Sequence, residues 1–433
     1  MPALSSHYRS RQPSPIRQAQ ILSMRRPDVD RLTIVNLAIG NVSLPAHPAM
    51  LDRMKRLGGE GSPFAGGAIK YTPSIGLDET RRAFLHIIAS AGCDTTGLDA
   101  VVTDGGSMAM ELMILGVAGP GAERPILMLD PTYSNYVDLA KRAGVRTIAA
   151  PRRLGDDVRY TAPDPGLLDR IVAAERPVAI VVIPADNPTG QFVDQASLDA
   201  LARLATEHDL WICSDEAYRQ LNYDGQSPSS IWAVSERAVP GVTGRRISIE
   251  SASKVWNACG LRVGALVTDS GDFHAKALAE FTANLSANAI GQWIFGALAH
   301  VPAPDLAGWY ERQRSYYRGL MRSVTDGLRA AVPRLIVSKP EAALYSVLDM
   351  RDADRDFDSA RFVRFCAEKA AVAIDGRPHT LLLAPMTGFQ GGAPDPAARS
   401  QMRLAYVEGT EVMAKVPRLF AALLEQYRRT GSR

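Results

Sequence analysis

From about Ala100 to Val267, short apolar runs alternate with amphipathic stretches, and this order restricts what the chain can become more than any other feature. PILML (125–129), VAIVVIP (178–184), LWICSD (210–215), RISIES (246–251) and GALVT (264–268) lack polar alternation and end in turn residues, as strands buried on both faces do. Segments between them, such as SLDALARLATEHD (197–209), carry helical spacing. Strand, helix, strand in repetition predicts an α/β fold with a mostly parallel central sheet covered by helices on both faces. The C-terminal part changes character: a helical stretch from Trp309 to Ala331, a strand-like LYSVLDM (344–350), a helix near Ser359 to Ala371 and a last helix from Val412 to Arg428. That mixture predicts a smaller α+β domain which the N-terminal arm joins. The expected division is an arm and part of the small domain over 1–50, a large domain over 51–305 and the rest of the small domain over 306–433.

In an open α/β sheet, ligands bind beyond the carboxyl ends of the strands. Polar clusters stand at three such ends: DNPTG (186–190), SDEAYRQLNY (214–223) and SASKVWNACGLRVG (251–264). Singly, each has an ordinary structural reading, as a turn, a helix cap or a surface lysine. Jointly they bring an amide, a carboxylate and an amine towards one crevice. Lys254 stands among small residues of the kind found in packed loops, with Arg262 eight positions further on. In TDGGSMAM (103–110), Gly105, Gly106 and Ser107 open a helix whose first amides attract anions. The glycine-rich GGEGSPFAGG (58–67) has no strand before it and reads as a mobile surface loop, not a phosphate loop.

Composition closes several other routes. With 433 residues, 46% of them hydrophobic, the chain can bury a large core. Its 49 basic and 46 acidic residues nearly cancel, so neither a nucleic acid nor an acidic membrane is an expected partner. Cys93, Cys213, Cys259 and Cys366 lie far apart with no CxxC pair, which predicts neither a metal site nor a disulfide framework and fits a reducing compartment, the cytoplasm. No window approaches 18 uninterrupted apolar residues, so no membrane span is expected. The first 27 residues hold five arginines and no acid, a composition shared with transit peptides; the reading adopted is an arm that packs on another part of the protein.

The run from Ser251 to Gly264 resembles the lysine signature of the class I and II aminotransferases, a group of fold type I enzymes that depend on pyridoxal 5′-phosphate, and the family's other motifs follow in its order from about Ser14 to Arg403. The resemblance implies that Lys254 forms a Schiff base with the cofactor aldehyde and later moves the substrate α-proton. It implies that Asp215 faces the pyridine nitrogen, and that Asn187 and Tyr218 donate to the ring's 3-oxygen. Arg262, Ser251 and Ser253 would cradle the phosphate together with Gly105, Gly106 and Ser107. Tyr133 of DPTYSNY (130–136) would stack on the ring. Tyr71 of KYTPSIG (70–76) would reach the phosphate of a neighbouring subunit, which implies a homodimer with shared active sites. Arg403 of QMRLAYVEG (401–409) would pair with the substrate α-carboxylate, beside Asn187 and Gly40 of NLAIGN (36–41). The implied activity moves an amino group from an L-amino acid to a 2-oxo acid. The same scaffold also carries lyases, decarboxylases and oxidases, and pocket geometry decides among them. A regulator's effector-binding domain is disfavoured, since only about 30 residues precede NLAIGN, too few for a DNA-binding domain.

Several positions depart from the family's pattern. Ala342 of KPEAALYSV (339–347) stands where glycine is usual, Val42 where a proline often stands after Gly40, and APMTGF (384–389) replaces a compact turn. These departures predict an intact cofactor side and an altered substrate side. One subgroup of aspartate aminotransferases uses a lysine in the phosphate loop to bind a distal carboxylate, and Ser107 falls at that position. A hydroxyl supplies no charge, so the expected amino donor is neutral or unusual.

Overall fold

The structure is a computed structural model that describes residues 2–430 except Asp224; Met1 and residues 431–433, at the two ends of the expected domain spans, lie outside the described residues. Its central sheet has seven strands, in the spatial order Asp99–Thr103, Gly264–Thr268, Arg246–Ser251, Trp211–Asp215, Ala179–Val182, Ile126–Asp130, Thr147–Pro151. All neighbours run parallel except Gly264–Thr268, which is antiparallel to both of its own. The predicted strands are all present. Asp99–Thr103 and Thr147–Pro151 were not predicted, and the second is an edge strand whose first three residues are only partly buried.

The sheet is buried because its strands are largely apolar: every residue of Ile126–Asp130, Ala179–Val182 and Gly264–Thr268 is buried, including the polar residues Asp130 and Thr268 at the ends of two of them. Helices cover it, several held at their start by a side chain that satisfies a first-turn amide. Asp194 accepts from the Ser197 amide ahead of Gln195–Glu207, and Asp164 does so for Leu167 ahead of Pro165–Glu175. The parallel arrangement puts Asp215 and Ser251 at one edge, and because Thr103 pairs with Gly264 and Gly264 with Ser251, the turn into helix Gly106–Val117 opens there too.

Two smaller sheets complete the protein. Thr33–Asn36 pairs in parallel with Arg377–Leu382, so residues from the start of the chain join a sheet built near its end. The other sheet runs Ala384–Pro385, Gln401–Ala405, Tyr345–Asp349, Ile336–Val337, all antiparallel. Helix Ala303–Ala331 packs on helix Thr410–Arg429, and helix Pro15–Met24 of the arm packs on helix Ser359–Glu368. Loop 58–67 is anchored at its centre: Ser62 is buried, and the Phe64 ring meets Trp293 edge to face with centroids 5.9 Å apart. Among the described residues no helix is long and apolar enough to cross a membrane.

Candidate active site

Lys254 sits in the connection between two adjacent strands, Arg246–Ser251 and Gly264–Thr268. That connection is tied to itself, with the Ala252 amide donating to Val263 O at 3.0 Å, Ala258 to Ala252 O at 3.2 Å and Ser253 to Ser251 Oγ at 3.1 Å. Asn257, at φ +52°, anchors it outward through a 2.9 Å bond to Pro45 O. The half-buried Lys254 amine donates to Gly40 O. Gly40 has to be glycine there, because a β-carbon would overlap the Tyr345 hydroxyl and lie 3.0 Å from Lys254 Nζ.

The spacing to Arg262 follows from the same loop. Arg262 adopts φ +51°, its carbonyl is held by Asn288 Nδ2 at 3.0 Å, and its guanidinium reaches Cys259 O at 3.1 Å and Asp104 O at 3.5 Å. It lies against Gly105, which has φ +78° and room for no β-carbon on that side. Gly106 and Ser107 open a helix whose first amides have no partner within it. Together with Ser251 and Ser253 they face the same cavity as Arg262, a concave surface of donors and one fixed cation that suits a phosphate.

Asp215 ends a central strand and is buried. It accepts from the Ala217 amide at 3.1 Å and from the Tyr136 hydroxyl at 3.1 Å, and among the described residues no basic side chain pairs with it. Burial is the main reason its carboxyl is pushed up to about 6; the two hydrogen bonds pull the other way, and the charges of Glu216 and Glu250 add to the rise. A desolvated carboxylate without a cation fits a ligand that brings a protonated ring nitrogen.

Tyr218 follows three residues later, and its hydroxyl meets that of Tyr345 at 2.7 Å. Asn187, beyond Ala179–Val182, accepts at Oδ1 from Arg403 Nη1 at 2.6 Å. Arg403 Nη2 donates to Ala38 O at 2.6 Å. The guanidinium lies 4.5 Å from the Tyr345 ring centroid and 4.7 Å from that of Phe389, and its buried Nε has no partner among the described residues. Tyr133 stands at the cavity wall with its hydroxyl raised to about 12 by burial.

Thus the structure brings Gly40, Gly106, Ser107, Tyr133, Asn187 and Asp215 to one cavity, along with Tyr218, Ser251, Ser253, Lys254, Arg262 and Arg403, while Gly105 supports it from behind Arg262. Tyr71 is the exception: it is 80% exposed and does not line that cavity. Sequence reasoning missed Tyr345 and Tyr136, which carried no motif of their own, and it missed that Ser14, Ile16 and Arg17 of the arm border the cavity. One expectation is corrected. Val42, Ala342 and Met386 are buried and do not line the cavity; of the altered segments only APMTGF reaches the substrate side, through Phe389 beside Arg403. The Ala342 amide donates to Gly190 O at 2.8 Å, and the left-handed turn falls on Ala343 at φ +55°.

Comparison with known proteins gives one consistent result. Residues 33–387 match the model of the family "Aminotransferase class I and II". An aspartate/prephenate aminotransferase of Thermus thermophilus is 27% identical over 410 residues, 94% of each chain. The arginine–pyruvate transaminase AruH of Pseudomonas aeruginosa is 28% identical over 322 residues, 74% of this chain and 73% of its own. Among solved structures, N-succinyldiaminopimelate aminotransferase from Mycobacterium tuberculosis superposes with a TM-score of 0.80 at 22% identity, covering 97% of this chain and all of its own, a likeness of fold.

Proposed function

The chain belongs to the class I and II aminotransferases, a family that uses pyridoxal 5′-phosphate, and from that premise we propose that it moves an amino group between an L-α-amino acid and a 2-oxo acid at the cavity around Lys254. The observation that carries this reading is the meeting, in one cavity, of an amine at Lys254, a buried carboxylate at Asp215 with no cationic partner among the described residues, and a buried arginine at Arg403.

Pyridoxal 5′-phosphate supplies, when bound, an aldehyde that takes the amino group and a ring that draws the electron pair from the substrate α-carbon. Lys254 Nζ would hold that aldehyde between turnovers and, once released, would take the proton from the substrate α-carbon and deliver it to the former aldehyde carbon, which completes the transfer of the amino group. Asp215 would keep the ring nitrogen protonated, and that cation would offset the cost of its buried carboxylate. Arg262, Ser251, Ser253 and Ser107 would hold the phosphate together with the amide of Gly106, while Gly105, whose amide donates to Thr103 O at 2.8 Å, gives Arg262 room behind them. The Tyr218 hydroxyl and the Asn187 amide nitrogen would donate to the ring's 3-oxygen, and Tyr133 would cover the ring face. Arg403 grips the α-carboxylate in two parallel bonds beside Gly40, which fixes the direction of the Cα–H bond.

The working unit is a homodimer with shared sites. Supporting this, Tyr71, Ile69 and Leu285 are 80%, 62% and 55% exposed, and the Ser74 hydroxyl, three residues beyond Tyr71, bonds Leu285 O at 2.6 Å. Large apolar side chains left exposed in this way fit a surface covered by a second copy. The expected division into a large domain over 51–305 and a small one from 1–50 and 306–433 belongs to the same reading, as does a cytoplasmic location, which the four free cysteines favour.

The test is to add single amino acids to the cofactor-loaded enzyme and follow its visible spectrum. A transaminase converts once to the amino form of its cofactor and stops until given a 2-oxo acid. A lyase, decarboxylase or oxidase regains the starting spectrum and accumulates product, which would overturn the reading.

A further inference from the structure

Five charged side chains line the cavity among the described residues: Arg17, Asp215, Lys254, Arg262 and Arg403. The proposed reaction uses four of them. Arg262 answers the phosphate, Arg403 the α-carboxylate and Asp215 the ring nitrogen, while Lys254 does the proton transfer. Arg17 is left over, a permanent cation at the mouth of a site whose other charges are matched.

Its position is fixed by what surrounds it. Arg17 is in the first turn of helix Pro15–Met24, where its amide is capped by Ser14 Oγ at 3.4 Å. The helix is pinned by the buried Ala19 and Ser23 and by packing on Ser359–Glu368. Just before it, Arg11 pairs at 3.5 Å with Asp138 of helix Ser134–Ala143, whose opening residues Ser134 and Asn135 border the cavity. Arg17 itself is exposed and bonds only a neutral group, Gln20 Oε1 at 3.0 Å, with no carboxylate paired to it among the described residues. It is close enough to Tyr133 for its charge to act on that hydroxyl, against the larger effect of burial.

We propose that Arg17 binds a second acidic group on the substrate side chain, so that the preferred amino donor and acceptor are dicarboxylic. This rests on the transaminase reading above. The charge that Ser107 does not supply from the phosphate loop comes here from a different element, the arm. A guanidinium fork gives a carboxylate two parallel bonds, and a cationic side chain is repelled from the same place. Arg17 is thus a specificity residue, and its loss acts on substrate affinity more than on the chemical step.

The experiment compares single-turnover kinetics of the loaded enzyme with glutamate, glutamine, leucine and arginine, for wild type, Arg17→Gln and Arg17→Lys. Expected is a wild-type preference for glutamate over glutamine of roughly tenfold or more, which falls about tenfold in Arg17→Gln through the substrate-saturation term and is partly kept in Arg17→Lys. Titration calorimetry gives a readout that needs no turnover: succinate should bind the wild type more tightly than butyrate does, and that difference should vanish in Arg17→Gln. An unchanged glutamate preference in Arg17→Gln, or a wild type that takes glutamine, leucine or arginine as well as glutamate, overturns the proposal. Conversion of no amino acid at all would instead bring down the transaminase reading, and the proposal with it.

Discussion

Arg403 Nη1 donates a 2.6 Å hydrogen bond to Asn187 Oδ1, joining a strand of the C-terminal antiparallel sheet to the edge of the central sheet. The bond orients both groups. With Oδ1 taken, Asn187 keeps its amide nitrogen to donate elsewhere, and the guanidinium lies within 4.7 Å of the ring centroids of both Tyr345 and Phe389.

Arg403→Lys removes that planar fork. A lysine ammonium offers a point charge that cannot reproduce two parallel bonds. The loss in kcat/KM for α-amino acids should be on the order of 3 kcal/mol, roughly two orders of magnitude, because orientation is lost along with binding. The visible spectrum of the loaded enzyme should stay as in wild type. Near wild-type kcat/KM on every amino acid accepted would remove Arg403 from the substrate site.

Asp215→Asn should change how stability depends on pH in the cofactor-free protein. The Asp215 carboxyl rises from its ordinary value of 3.8 to about 6 on folding, mainly through burial. The folded state therefore favours the protonated form. Its stabilising contribution is full below pH 3.8 and is lost as pH rises through about 6. Asparagine avoids the charge, so the variant should melt higher than wild type at pH 8, by a difference on the order of 2–3 kcal/mol, and the gap should close towards pH 4. A gap independent of pH would contradict the burial argument. Turnover of the variant should be largely lost.

Gly40→Ala places a methyl group against the Tyr345 hydroxyl and 3.0 Å from Lys254 Nζ. Overpacking of this kind destabilises by roughly 1–3 kcal/mol, but here the groups that must move are those of the site. Turnover should fall at least about tenfold, with the circular dichroism spectrum unchanged. A fully active variant would show that Lys254 and Tyr345 do not need their present places.

Much of this was legible in the sequence, for physical reasons that differ by element. The inner strands of the central sheet are buried on both faces, Ile126–Asp130 and Ala179–Val182 to the last residue, and their mainly apolar runs show it. Thr147–Pro151 escaped because an edge strand needs no such run: its burial is partial and ends in an exposed proline. The site residues were legible where a motif held them at a strand end, as with Asp215 and Lys254. Tyr345 was read only as part of a strand, although it faces both Tyr218 and Arg403; which neighbours a buried tyrosine meets depends on the pairing of Tyr345–Asp349 with Gln401–Ala405, and nothing local encodes that. The arm's contact with the cavity was hidden for the same reason, since Arg17 and the strand ends it meets there, such as those leading to Tyr133, Asn187 and Asp215, lie far apart in the chain.

The central claim is that Lys254 carries the cofactor, and it is tested most directly by reducing the cofactor-loaded enzyme with borohydride, digesting it and locating the pyridoxyl label by mass spectrometry. The label should fall on the peptide holding Lys254, and Lys254→Ala protein treated alike should carry none and lack the visible absorbance. A label on any other lysine of the wild type, or a reducible adduct that survives in Lys254→Ala, would contradict it.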